Sequence, residues 1–321
     1  MSSGNYLKLA IGILFLIFLV LLSAIFFPRP KDEVKNLISP GFFQGINLES
    51  TFSFVFKSED LSKIVKKILE GKTGEYAVYV EDLSDAENYT LRSSDTFPAA
   101  SLYKLYLLAA VLAEVDKGNL GLDQTISSNI DHLVEVYGSV DYGYEGDEGD
   151  IKYTVEEALT RVGRISDNFA AIMLMDKVGT EKVQAVADSI GATSTSFKAP
   201  VTTTAEDTGK FFRALYSKEL ISPFVSEKVT EFLSLNQLNN RIPAFAEASA
   251  GKPALEGVRI IHKTGELAGV RHDAGIVWFS STGNTPGVES QNTPGVKERA
   301  YVIVLMSKDL RYEDEGVETL A

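Results

Sequence analysis

The 321-residue chain contains no cysteine, which removes disulfides, thiol nucleophiles and thiolate metal sites at once. Histidine is nearly as scarce. His132, His262 and His272 are too scattered to suggest a metal cluster, and neither a metal nor a cofactor is expected. Basic residues are outnumbered, 31 Lys and Arg against 44 Asp and Glu, for a formal charge of −13. Because a polyanion must be met by clustered cations, nucleic acid is not expected as a partner. The length suffices for one large domain or for two sub-domains that share a core.

Long apolar runs are few as well. The outstanding one is "LAIGILFLIFLVLLSAIFF", Leu9 to Phe27, free of charge and long enough as a helix to cross ~30 Å of hydrocarbon. It reads as a single-pass anchor rather than a cleaved signal, being long for a signal's apolar region and ending in "LLSAIFFPRP" without a small-x-small site. Lys8 precedes it, whereas Arg29, Lys31 and Lys35 follow, and the basic-residue rule read alone would keep the bulk of the chain inside. Residues 1–28 are therefore the expected N-terminal transmembrane helix. Residues 29–57 are the expected juxtamembrane linker, with one short strand in "TFSFVF".

The folded domain is expected over 58–321. Ser58 can cap a helix in "SEDLSKIVKKILEG", and "EYAVYVEDL" with "ENYTLRSS" reads as a strand pair. From Ser101 to about Leu238 the pattern is mostly helical. Thr154 and Glu157 form a capping box, "FAAIMLM" after Asn168 is apolar on every side, and Ser222-Pro223 opens another helix. Strand patterns return in "VRIIHKTG", "HDAGIVWFSS" and "AYVIVLMSK". One sheet is thus expected from 58–100 and 255–321, with a helical part over 101–254. The duplicated NTPGV at Asn284 and Asn292 reads as a lengthened hairpin loop, and the acidic stretch 141–150 as a solvated loop.

Two side chains at a helix start carry chemistry. In "DTFPAASLYKLYLLAAVLAEV", Ser101 and Lys104 lie one turn apart on one face. A serine at a helix start is ordinarily an N-cap, but beside a basic amine it becomes a nucleophile, and the positive end of the helix dipole favours the developing negative charge. The S-x-x-K pattern recurs at Ser249 and Lys252 ahead of Pro253, where no helix follows. "ISDNFAA" adds Ser166, Asp167 and Asn168 between two helices, and "IIHKTGELAG" adds Lys263, Thr264 and Gly265 at a strand end. A second K-T-G, Lys72 to Gly74, precedes Ser101 and sits in a turn, the wrong order and context.

With S-x-x-K, S-D-N and K-T-G in that order, the sequence resembles the class A β-lactamases and penicillin-binding serine hydrolases. The resemblance runs from about Ser58 to the C-terminus and includes "FPAAS", "YTVEEAL", "NNRIPA" and "HKTG". It implies an α/β fold, β-lactamase-like, with an antiparallel sheet flanked by helices plus a helical sub-domain and the site in the cleft between them. Carried over residue by residue, it makes Ser101 the acylated nucleophile and Lys104 the amine that takes or relays its proton. Ser166 would pass a proton to the leaving nitrogen, and Asn168 would hold Lys104 and the substrate amide. Lys263 and Thr264 would bind the substrate carboxylate, and Gly265 would let the strand edge approach the ligand. The N–H groups of Ser101 and Glu266 would form the oxyanion hole. Arg271 is a candidate second carboxylate anchor, its alternative a surface arginine.

The sequence departs from that family at one place. Class A enzymes carry an E-x-x-L-N loop whose glutamate activates the water that releases the acyl-enzyme. Here "ATSTSFKAPV" follows Gly191 and contains no acid, and "EFLSLN" at Glu231 falls inside a helix pattern well beyond it. The resemblance implies a membrane-anchored serine hydrolase, extracytoplasmic, that opens small-molecule β-lactams or D-alanyl amides through a serine acyl-enzyme. The alternatives are a penicillin-binding, DD-peptidase-like enzyme with slow release, and a catalytically silent wall-peptide-binding module. The sequence does not specify an oligomeric state, and a monomer is expected.

Overall fold

The computed structural model describes residues 58–85, 87–137, 149–245, 257–280 and 298–320. The apolar run 9–27, the "TFSFVF" strand, most of the acidic loop and the duplicated NTPGV stretch lie outside the described residues. Among the described residues no helix is long and apolar enough to cross a membrane.

The order of elements begins with α1 (Ser58–Leu69), β1 (Glu75–Asp82), β2 (Asn88–Leu91) and β3 (Phe97–Pro98). A 3-10 turn (Ala100–Leu102) then runs straight into α2 (Tyr103–Asp116). A small hairpin follows, β4 (Thr125–Asn129) and β5 (Asp150–Thr154), with α3 (Ile130–Tyr137) between its strands. The helical middle continues through α4 (Val155–Ile165), α5 (Asn168–Val178) and α6 (Thr180–Ser189). After β6 (Thr202–Thr203) come α7 (Ala205–Tyr216), α8 (Pro223–Ser234) and a 3-10 turn (Ile242–Phe245). The chain closes with β7 (Val258–Leu267), β8 (Val270–Ser280), β9 (Glu298–Lys308) and α9 (Glu313–Leu320).

The five-stranded sheet has the order β2-β1-β9-β8-β7, antiparallel throughout. Both ends of the described domain build it, which leaves β7 as an edge strand with, among the described residues, no strand on its outer side. Tyr79 and Ala77 of β1 belong to the main core, which also takes in α2 and α7, whereas Tyr76 on the opposite face packs with Leu310 and Leu320 in a smaller cluster. That split is the period-2 alternation of a strand. Gly209 marks the close approach of α7 to the sheet, since a Cβ there would meet the Tyr79 ring at 2.5 Å.

Helix α2 is the centre of the helical part. Leu105, Leu107, Leu108, Val111 and Leu112 are all fully buried, each worth about 1.5–3 kcal/mol of burial. A helix that is apolar all round must be enclosed, and "FAAIMLM" in α5 behaves the same way, with Phe169, Ala170, Ala171, Met173 and Leu174 buried. The capping box at Thr154 and Glu157 is closed in both directions, at 2.7 and 3.1 Å.

The middle of the chain is less purely helical than its pattern suggests. β4 and β5 pair over five residues, and Thr202-Thr203 forms a short strand against Phe97 and Pro98. The cap of α7 is Thr204, whose side chain accepts from the Asp207 N–H.

Candidate active site

Ser101 lies inside the 3-10 turn, and the N-cap of that turn is Ala99, so the serine is not a cap. Ala100 before it has φ +45°, a left-handed conformation that costs a non-glycine residue roughly 1–2 kcal/mol. The turn thus delivers a half-buried Ser101 at the head of a rigid buried helix. Lys104 follows one turn on and is fully buried. Its Nζ donates to Ser166 O at 2.5 Å and Asn168 Oδ1 at 2.6 Å, and stands 3.2 Å from Ser166 Oγ.

Ser166 ends α4 in a left-handed conformation, φ +59°. That turn aims both its carbonyl and its hydroxyl at Lys104. Asp167 next to it caps α5 by accepting from the Ala170 N–H at 2.9 Å, and pairs with Arg161 at 2.5 Å. This locks the segment in which the strained serine sits. Asn168 is then the first residue of α5.

The third wall is the edge strand β7. Lys263 is fully buried and donates to Ser166 Oγ at 2.7 Å and to Thr264 O at 2.9 Å. One hydroxyl therefore bridges two lysine amines, Lys104 and Lys263, that come from opposite sides. Burial first, and then the facing charge of Lys104, hold Lys263 well below the usual lysine range, while Asp273 and Glu266 act in the other direction. Gly265 brings the strand against the nucleophile's turn. A Cβ there would sit 3.2 Å from Ala100 Cβ and 3.2 Å from His272 Cδ2, tighter than ordinary packing.

The structure thus brings Ser101, Lys104, Ser166, Asn168, Lys263 and Gly265 to one place, with Thr264 joined to it through its carbonyl, which accepts from Lys263. Glu266 belongs to it through its backbone only, because its side chain pairs with Arg241. Arg271 is not brought in. Its Nη1 donates to Leu267 O at 2.8 Å and Val270 O at 2.7 Å, around the β7–β8 turn, and its stem packs near Gly316 of α9. In an antiparallel ladder directly paired residues share a face, and Arg271 pairs with Glu266 while His272 pairs with Gly265; the odd-numbered Lys263 and Gly265 look toward the serines, and Arg271 looks the other way. The second K-T-G occupies the turn between α1 and β1. The second S-x-x-K, at Ser249, lies outside the described residues. Glu231 sits within α8, paired with Lys228 at 2.8 Å.

Sequence reasoning passed over the polar cluster behind β7, where Arg241, His262 and Asp273 are all buried. The signal was the register: Leu267 opposite Val270 across a two-residue turn puts Thr264 opposite Asp273 and brings His262 beside it.

The sequence profile of the Beta-lactamase2 group, described as a beta-lactamase enzyme family, matches residues 60–286. Among curated proteins, the extended-spectrum beta-lactamase PER-1 of Pseudomonas aeruginosa is 30% identical over 131 residues, 40% of this chain and 42% of that protein. The matched stretch is thus under half the length of that relative. Among solved structures, a beta-lactamase from Sphaerobacter thermophilus superposes with a TM-score of 0.64 at 21% identity, covering 83% of this chain and 94% of that one. A PBP-A mutant solved as an acyl-enzyme complex with penicillin G superposes with a TM-score of 0.66 at 22% identity, covering 81% and 90%. These two likenesses concern the fold.

Proposed function

The chain belongs to the beta-lactamase enzyme family, and from that premise we propose that it is a serine hydrolase that opens β-lactams through an acyl-enzyme on Ser101. The observation that carries this reading is the Ser166 hydroxyl held between the amines of Lys104 and Lys263 at 3.2 and 2.7 Å. Lys104 Nζ lies within hydrogen-bond distance of Ser166 O, Ser166 Oγ and Asn168 Oδ1, so the amine beside the nucleophile is held by the same serine to which it would relay a proton.

In the acylation step Ser101 Oγ bonds to the lactam carbonyl carbon and gives its proton to Lys104. The negative charge on the carbonyl oxygen is met by the N–H groups of Ser101 and Glu266. The C–N bond then breaks, and the leaving nitrogen takes the proton of Ser166, which Lys104 replaces through the 3.2 Å contact. Lys263 and Thr264 hold the substrate carboxylate, and Asn168 the substrate amide. Hydrolysis of the ester by water returns Ser101.

A second reading, a penicillin-binding enzyme that acylates readily and turns over slowly, is favoured by the segment from Gly191 to Val201, which contains no acid. In both readings residues 9–27 anchor the chain in a membrane with the catalytic domain extracytoplasmic, where β-lactams and wall peptides are met.

The test is covalent labelling of intact cells by a membrane-impermeant fluorescent penicillin. The parent should be labelled, and Ser101→Ala should not. Equal labelling of both would remove Ser101 as the nucleophile, and labelling only after lysis would overturn the extracytoplasmic placement.

A further inference from the structure

Behind the K-T-G strand lies a buried polar cluster that the acylation chemistry does not use. Asp273 is fully buried, and His262 is 3% exposed. The Asp273 carboxylate stands 2.9 and 3.1 Å from His262 Nδ1 and accepts from the Ile242 N–H at 2.9 Å. His262 Nε2 reaches Asn239 Oδ1 at 3.3 Å, and the His262 carbonyl accepts from Asn236 Nδ2 at 3.0 Å. Arg241, also fully buried, pairs with Glu266 and donates to His272 O at 3.4 Å. Residues 236–242 are thereby tied to β7 at His262 and Glu266 and to β8 at His272 and Asp273.

A buried carboxylate is costly to desolvate, and this one, on β8, is met from two other elements, the 3-10 turn at Ile242 and β7 at His262. Thr264 is its direct cross-strand partner. Its charge also acts on Lys263 from the far face, against the effect of Lys104.

We propose that Asp273 is a positioning residue for the carboxylate-binding strand: tied to His262 and to the Ile242 N–H, it fixes from behind the segment that presents Lys263 and Thr264 to the substrate. The inference rests on the acyl-enzyme reading, in which Lys263 and Thr264 meet a carboxylate. It makes a distinction that loss of fold would not make, because only substrates carrying that carboxylate should feel the change.

The test compares acylation of the full-length chain by benzylpenicillin and by its methyl ester, followed by intact-protein mass spectrometry. In Asp273→Asn the concentration giving half-maximal acylation rate should rise about tenfold for the acid, with the limiting rate little changed and the ester unaffected. His262→Ala, which keeps the carboxylate but unties it from β7, should show the same pattern at about threefold, and it serves as the test should Asp273→Asn fail to fold. Equal losses for acid and ester, a loss confined to the limiting rate, or no loss in either variant would overturn the proposal while leaving Ser101 acylation intact. A parent that neither compound acylates would overturn the acyl-enzyme reading, and the proposal with it.

Discussion

Around Ser166 the buried polar atoms converge on one hydroxyl, whereas between Gly191 and Val201 they are taken up in holding the backbone. At the first place two lysine amines and the Asn168 amide meet within hydrogen-bond reach. At the second, the nearest buried acid is Asp207, and its carboxylate accepts from the Ser194 N–H at 2.8 Å and Thr195 Oγ1 at 3.0 Å and pairs with Lys210 at 3.1 Å. Glu206 beside it pairs with Lys210 at 3.2 Å. The segment is pinned next to the nucleophile, since Val201 O accepts from the Ala99 N–H at 3.0 Å. One wall of the cleft is therefore equipped for proton transfer, and its neighbour is equipped for shape alone.

The largest effect expected from that contrast is a gap between acylation and release. General-base activation of a water is typically worth about 10²–10⁴ in rate, roughly 3–5 kcal/mol of barrier. With a chromogenic cephalosporin at concentrations near that of the enzyme, a burst close to one equivalent should precede slow turnover, with a stable adduct on Ser101 by mass spectrometry. Fast steady hydrolysis with neither burst nor adduct would break the contrast, because another group would then be activating water.

A second effect lies in the packing that carries the nucleophile. His272 is buried between Gly265 and Pro98, its Nε2 standing 2.8 Å from Pro98 O and its Nδ1 2.8 Å from Arg271 O and 3.2 Å from Ser307 N. Burial pushes its pKa down to about 4. The folded value lies below the unfolded one, near 6.5, so the unfolded chain binds the proton first. The stabilisation from keeping this ring neutral is complete above about pH 6.5 and is lost as pH falls through about 4. At 1.36 kcal/mol per unit the loss is about 3 kcal/mol. Denaturant melts at pH 7 and pH 4 should show it in the parent and not in His272→Gln, which has no proton to gain. Equal losses in the two would assign the acid sensitivity elsewhere.

Much of this was legible beforehand because it is local. A capping box at Thr154, a Ser-Pro start at residue 222 and an all-apolar "FAAIMLM" are statements about neighbours in sequence, and the structure has helices at each. What escaped is non-local or short. β4 buries only Ile126 among its five residues, so its pattern is too polar to read as a strand before β5 pairs with it. Thr202-Thr203 is a two-residue strand held by residues 97–98 and by a bridge from Thr202 to Ser196. The cluster at Arg241, His262 and Asp273 escaped because such residues are ordinarily exposed. Their burial becomes apparent once the hairpin register places them together.

The smallest effect expected concerns the boundary of the proton-transfer wall on its own hairpin. Residues 271 and 272 are neighbours in β8, yet His272 packs beneath the nucleophile's turn and Arg271 wraps the Leu267–Val270 turn on the opposite face. The guanidinium contributes two hydrogen bonds to backbone carbonyls, each worth about 0.5–1.5 kcal/mol net. Arg271→Ala should therefore lower the melting temperature slightly and leave the rate of penicillin labelling within about twofold of the parent. That outcome is the opposite of the one a carboxylate anchor requires, since removing a charged partner from a bound carboxylate costs about 1.5–3 kcal/mol. A drop in labelling of more than about tenfold, some 1.4 kcal/mol, with the melting temperature unchanged, would place Arg271 in the site despite its contacts, and would move the edge of that wall across the strand.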